Sequence, residues 1–281
     1  MGKLAQAAVF RLRHDDAVAF SSMAMAMTRR GDAGFARLAA LTSRMVTVGA
    51  LGEATELHEV VDELEPLVRR SGDLWLLQFV LSNAATVPLA AEDYGAAERR
   101  ELEALELNRR TGHSAQEAYF LTRLALQRRL AGDVEGAVRL GREAVATGRR
   151  AGTHLWWSVG AVTDLACSLM AAERGDEALE VLTSIVPEGD WENERRLWVL
   201  APLARASGSR VPLERADALL RAVATPPGSA WIVAGDLYVD VATAWRRVGE
   251  PARAAEVAGR LAEAARRNAW PAWERLAASL L

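Results

Sequence analysis

The side chains able to act as nucleophiles, bases or metal ligands are few and scattered along this 281-residue chain. Cys167 is the single cysteine, so neither an internal disulfide nor a multi-cysteine zinc site can form. A catalytic thiol needs a base beside it, and none is evident; a small buried apolar residue is the simpler role. His14, His58, His113 and His154 are spread along the chain, the last two beside expected helix caps, and read as solvated loop histidines. The pairs Asp15-Asp16 and Glu92-Asp93 sit where helices start or turn, positions that favour negative charge without catalysis. Lys3 is the only lysine, so a Gly-x-x-x-x-Gly-Lys phosphate loop has no lysine to use. No Gly-x-Gly-x-x-Gly follows a strand pattern, and neither Gly-x-Ser-x-Gly nor His-Glu-x-x-His occurs. The chain is therefore expected to use no metal and no cofactor, and not to be an enzyme.

With 51% hydrophobic and 25% charged residues the chain must fold around a sizeable core. A formal charge of -3, with both signs interspersed, leaves no footprint for a phosphate backbone, so direct nucleic-acid binding is not expected. The segment Met1 to His14 lacks the apolar run and small-residue cleavage site of a signal peptide, and Gln6 breaks the myristoylation pattern. The uncharged stretch from Leu74 to Ala91 is interrupted by Gln78, Ser82, Asn83, Thr86 and Pro88, so it reads as a buried solenoid helix, not a membrane span. A cytoplasmic location is the expectation. Arginine almost wholly replaces lysine, the bias of GC-rich coding sequence such as an actinobacterium's.

The elements that must position any site are announced by repetition. Arg69-Arg70-Ser71-Gly72, Arg109-Arg110-Thr111-Gly112 and Arg149-Arg150-Ala151-Gly152 recur forty residues apart, with a degenerate copy at Arg29-Arg30-Gly31 and a last one at Arg266-Arg267-Asn268. Arginine suits the negative end of a helix, and Gly or Asn just beyond can take the left-handed cap. Between them lies a second punctuation: Gly49, Glu92-Asp93, Gly132-Asp133, Glu173 to Gly175, Gly208 and Gly249. Ala54, Ala97, Ala137, Ala178 and Ala254 follow at five residues, as close helix crossings require. Pro212 and Pro251 fit first helical turns.

This pattern predicts helix pairs 33–48 with 52–70, 73–91 with 94–111, 114–131 with 134–151, 154–173 with 175–186, 190–207 with 212–224, and 229–247 with 251–268. The fold class is all-α: a right-handed α-solenoid of about six pairs with a period near 40 residues. One solenoid, 1–281, is expected, with a truncated repeat at 1–30, regular repeats over 33–224, and a last repeat with capping helix over 229–281. The helical run must break at Thr225-Pro226-Pro227-Gly228. Met23, Met25 and Met27 are expected to pack inside the terminal repeat.

Leu124-Ala125, Gly132-Asp133, Ala137 and Ala144 match the spacing of the tetratricopeptide motif, which the chain resembles over nearly its whole length. It departs from that motif in its longer period and in carrying Leu81, Leu121 and Val162 where the motif prefers a large aromatic. Repeats of this length resemble those of MalT-like and LuxR-type large regulators of actinobacteria. The resemblance implies a superhelix whose first helices line a concave groove. Repeat offsets place Phe79, Ser82, Thr86, Tyr119, Thr122, Arg129, Thr163, Cys167, Arg195, Trp198, Arg205, Asp236 and Arg246 on that groove. Tyr119, Thr122, Arg129, Thr163, Arg195 and Trp198 are the candidate ligand-binding residues, with Arg129 and Arg195 expected to be exposed. Hydroxyls, guanidiniums and aromatics together suit a protein or peptide partner, or a small effector. The expected role is the sensor or interaction part of a bacterial transcriptional or signalling regulator. An alternative is a biosynthetic accessory protein or enzyme with a pocket around Trp156, Trp157, Trp191 and Trp198. A third is homo-oligomeric scaffolding through exposed end repeats.

Overall fold

A computed structural model describes residues 1–10, 13–29, 34–112, 114–151, 156–185, 193–222 and 234–281. Gly31, His113, Gly152, His154, Trp191, Trp231 and the 225–228 break lie outside the described residues, as do the side chains of Trp156 and Trp157. Every regular element among the described residues is a helix. Two short helices, α1 (Gly2–Phe10) and α2 (His14–Ala26), precede the first expected pair, α3 (Phe35–Leu51) with α4 (Ala54–Ser71). The first helix of the second pair is divided into α5 (Leu74–Ala84) and α6 (Thr86–Ala90), followed by α7 (Tyr94–Thr111). Pro88 explains the division, because it has no N–H to give the carbonyl four residues back, that of Ala84. The later pairs are α8 (Ser114–Leu130) with α9 (Val134–Arg150), α10 (Trp156–Ala171) with α11 (Gly175–Thr183), α12 (Asn193–Ser207) with α13 (Arg210–Ala222), and α14 (Ala234–Arg247) with α15 (Pro251–Arg267). The last helix is α16 (Pro271–Leu280). No described helix is long and apolar enough to cross a membrane.

The helices begin and end where local chemistry directs. Asp73, Asp93 and Asp133 each cap a helix, their carboxylates accepting from the backbone N–H of Leu76, Ala96 and Gly136 at 2.9, 2.9 and 3.0 Å. Gly72 and Gly112 take left-handed φ of 72° and 74° beyond the paired arginines. Between paired helices the left-handed residue is Gly52, Glu92, Gly132, Glu173, Gly208 or Gly249. Two expectations are thereby corrected. Gly49 lies inside α3 and the first turn belongs to Gly52, so the side chain five residues on is the buried Leu57 and not a small one. At the far end Asn268 has φ of -101°, and Ala269 takes the left-handed conformation at 57°.

Successive pairs stack along the chain, and their first helices meet on the inside: α8 packs on α10, α10 on α12, and α12 on α14. One apolar cluster runs through the N-terminal pairs, with Met45, Leu64, Leu81, Leu121, Leu165 and Leu182 at its centre. A second joins α12–α16 to Ala54, Leu89, Ala90 and Ala97 from the opposite end of the solenoid. The coil thus closes on itself through α16. Trp270 Nε1 donates to the Gly52 carbonyl at 3.0 Å across 218 residues of sequence, and Arg275 pairs with Glu92. In the N-terminal helices Met25 is partly buried, but Met23 and Met27 are 49% and 76% exposed, which corrects the packing expected for them.

Candidate functional site

The inner helices bring an unusual number of polar groups to the solenoid axis. On α8, Arg129 donates through Nη1 and Nη2 to Asp236 Oδ1 and Oδ2 of α14 at 2.9 and 2.6 Å, and through Nη2 to Asp164 Oδ1 of α10 at 3.0 Å. Its side chain is only 9% exposed, so the exposure expected of it is corrected: the curl of the coil brings α14 across the axis onto α8. Arg205 of α12 donates through Nη1 to Asp240 Oδ1 at 2.9 Å, and the Cys167 thiol lies 3.8 Å from Asp240 Oδ2. Asp236 and Asp240 stand one helical turn apart, which aims both at the axis. Burial pushes the carboxyls of Asp164 and Asp240 up to about 6, against the pull of Arg129 and Arg205 respectively. Burial, and then the Asp240 carboxylate, push the Cys167 thiol well above its ordinary range, so a thiolate nucleophile is disfavoured.

A second network lies between α5, α7 and α8. Ser82 Oγ donates to Glu101 Oε1 at 2.6 Å and Gln127 Nε2 to Glu101 Oε2 at 3.4 Å, while Arg123 Nη2 donates to Thr86 Oγ1 at 2.9 Å. Arg123 Nε stands 3.6 Å from Glu101 Oε2. The Glu101 carboxyl is fully enclosed, and burial raises it to about 7 despite the Arg123 charge. These groups hold helices together.

Open space exists farther along the axis. A recess of about 430 Å³ lies between α7, α8, α10, α12, α14 and α16, lined by Tyr94, Arg129, Cys167, Arg205 and Asp236 and, from α16, by Trp273, Arg275, Leu276 and Ser279. Trp273 lies flat on α14 because residue 235 is glycine: a Cβ there would come within 2.4 Å of the indole ring. Thr163 and Trp198 face a separate narrow gap with no room for a water molecule.

The structure distributes the six candidate residues unevenly. Arg129 lines the recess. Tyr119 is buried edge-on to Phe120, with ring centroids 5.4 Å apart, and Thr163 and Trp198 are buried at 2% and 4% exposure. Thr122 is half-buried with its hydroxyl on the Ala118 carbonyl at 2.8 Å, and Thr163 likewise bonds the Gly160 carbonyl at 3.0 Å. Arg195 is half-buried and lies away from the recess. Of the four tryptophans expected around a pocket, only the Trp198 side chain is among those described, and it is buried. Sequence reasoning missed Asp164, Asp240, Tyr94, Trp273 and Arg275. The lone acidic residue inside the apolar helix α10 was a usable signal for Asp164, and the place one turn beyond Asp236 on α14 was one for Asp240. Among the described residues no group of three or more His, Cys, Asp or Glu side chains is placed to hold a metal. His58 is exposed beside Asp62 at 3.4 Å.

No family model and no curated protein matches the chain. Solved structures match its architecture. A Rap protein complexed with competence and sporulation factor is 13% identical, with a TM-score of 0.53 covering 97% of this chain and 76% of that one. A STAND protein with a tetratricopeptide repeat sensor from Pyrococcus horikoshii is 15% identical, at a TM-score of 0.50, covering 92% of this chain and 42% of that one. Nearly identical TPR-like repeats of the kinesin light chain type from Podosopora anserina are 18% identical, at 0.50, covering 67% of this chain and 97% of that one. The chain has the all-α, tetratricopeptide-like helical-repeat fold.

Proposed function

We propose that the chain is an interaction module, the sensor part of a bacterial transcriptional or signalling regulator of the MalT-like or LuxR type, acting in the cytoplasm as one solenoid over residues 1–281. It takes a partner segment or an effector on the inner face. The observation that carries this reading is the recess. Six helices, from five repeats and the C-terminal segment, converge on one space, which they line with guanidiniums, a phenol and an indole. Such lining recognises and orients a ligand. The polar groups beneath it are locked in ion pairs, and the one thiol faces a carboxylate, so the arrangement supports binding and not catalysis. Two of the similar folds agree with a sensor: the Rap protein is complexed with competence and sporulation factor, and the STAND protein carries a repeat sensor.

Selection of displayed random peptides on the immobilised chain tests the reading. Enriched peptides should bind the wild type and lose at least tenfold in affinity on Ala272→Trp, which fills the recess from α16. Peptides that bind Ala272→Trp unchanged, but fail on Leu102→Arg on the outer helix α7, would move the site to the convex side and end the proposal.

A further inference from the structure

The lining of the recess is of two kinds. Leu130, Val239, Trp273 and Leu276 contribute apolar surface, while Arg205 and Arg275 bring guanidiniums. Each guanidinium is only partly engaged. Arg205 uses Nη1 on Asp240 and Arg275 uses Nη2 on Glu92, and their other N–H donors have no partner among the described residues. The acid that lines the recess, Asp236, is already paired with Arg129 through both oxygens, so its charge is largely compensated. Asp240 behind Arg205 and Glu92 beside Arg275 each cancel much of one positive charge. Asp164 shares Arg129 with Asp236, so no excess of positive charge remains; what the recess offers is the unengaged N–H donors, which suit two hydrogen-bond acceptors and not a phosphate dianion.

From this division we infer that the recess under α16 binds a small amphipathic monocarboxylate, its carboxylate between Arg205 and Arg275 and its apolar body against Trp273, Leu276, Val239 and Leu130. The inference rests on the inner-face reading above and names its ligand class. Planar guanidinium forks match carboxylate oxygens in pairs, which a lysine could not do. A volume near 430 Å³ lies in the range of small-molecule pockets and holds a carboxylic acid of several carbons. The ligand would also touch both ends of the coil. α16 forms one wall and is held to the N-terminal pairs by the Trp270 to Gly52 hydrogen bond and the pair Arg275 with Glu92, so a molecule seated against Trp273 and Arg275 bridges both ends of the coil.

The experiment titrates the full chain with octanoate, octylammonium and inorganic phosphate, reading tryptophan emission and thermal midpoint. Octanoate should saturate, change the emission and raise the midpoint, with little effect from the other two. Arg275→Ala, a surface change that spares the buried ion pairs, should weaken octanoate at least tenfold, and Ala272→Trp should abolish its binding while circular dichroism shows the helices intact. The inference is overturned if carboxylates of four to ten carbons show no saturable binding, if octylammonium or phosphate binds more tightly, or if both variants bind octanoate as the wild type does. Peptides that depend on the recess, together with carboxylates that do not bind, would leave the inner-face reading standing and remove this one.

Discussion

Arg129 and Asp236, 107 residues apart in the chain, make a bidentate ion pair at 2.6 and 2.9 Å that ties the third repeat to the sixth across the solenoid axis. The pair lines the recess, and Arg129 reaches Asp164 as well. Removing the arginine leaves two buried carboxylates without their cation. Arg129→Met should therefore cost about 3–5 kcal/mol, the usual loss when one partner of a buried pair is removed. Converting Asp164 and Asp236 to Asn in the same chain should recover part of it. Urea unfolding checks this, and a loss under about 1 kcal/mol would mean the axis is wetter than the packing shows.

The latch between the two ends can be dissected because its contacts differ in burial. Trp270 is 3% exposed, whereas the Arg275 side chain is 65% exposed. Trp270→Phe keeps the ring but removes the N–H that serves the Gly52 carbonyl, and should cost about 1–2 kcal/mol. Arg275→Ala should cost no more than about 1 kcal/mol, since exposed pairs contribute little. Hydrogen exchange at the Gly52 turn and at α16 should rise together in Trp270→Phe. An increase confined to α16 would show that the two ends are not coupled.

The buried carboxyls predict a pH dependence of unusual sign. Glu101 is raised to about 7 and Asp164 and Asp240 to about 6, all above their unfolded values near 4. Between pH 4 and 7 the folded chain then binds more protons than the unfolded one, so stability is greatest at the acid end of that window and falls as pH rises through 6 and 7. Each fully contributing group adds a slope of up to about 1.4 kcal/mol per pH unit. The urea midpoint should be higher at pH 5 than at pH 7.5, and Glu101→Gln, which removes the titrating carboxyl, should flatten the upper part of the fall. A midpoint that rises from pH 5 to 7.5 would contradict the assignment.

Much of the architecture was legible because helix ends carry their own chemistry. The arginine pairs before Gly72 and Gly112 and the aspartates at 73, 93 and 133 mark boundaries that α4, α5, α7 and α9 follow closely. The repeat offsets also placed Arg129, Cys167, Arg205 and Asp236 inside, where they line the recess. Offsets carry no information on how tightly the coil curls, and that curl decides whether an inner residue meets solvent or another helix. Tyr119, Thr163 and Trp198 therefore became packing residues. Tyr94, Trp273 and Arg275 enter the recess because α16 folds back across the coil, and α16 has no equivalent in the other repeats to announce its position.

Glu92, Glu173 and Ala269 take left-handed backbone conformations that favour glycine. Glu173 has φ of 60° where Gly132 and Gly249 stand in equivalent turns, and it is exposed with no ion pair among the described residues. Glu173→Gly should stabilise the chain by about 1 kcal/mol by relieving the left-handed penalty, less the entropy that glycine gains when unfolded. The thermal midpoint should rise by a few degrees or less. A clear fall would show that Glu173 makes a contact worth more than its strain.

Gly235 controls the last wall of the recess. A Cβ at this position would lie 2.4 Å from two atoms of the Trp273 ring, far inside contact distance, and the ring is 3% exposed. Since 235 is within the first turn of α14, alanine itself suits the backbone, and the conflict falls wholly on the indole. Gly235→Ala should therefore lift Trp273 and α16 away from α14, at a cost of about 1–3 kcal/mol typical of overpacking. The displacement should red-shift and quench tryptophan emission and widen the recess. Trp273→Ala in the Gly235→Ala background removes the clash, so the alanine at 235 should cost much less there than in the wild type. A double-mutant cycle measures this coupling. If the two substitutions prove additive, the indole does not rest on Gly235, and the wall described for the recess is wrong.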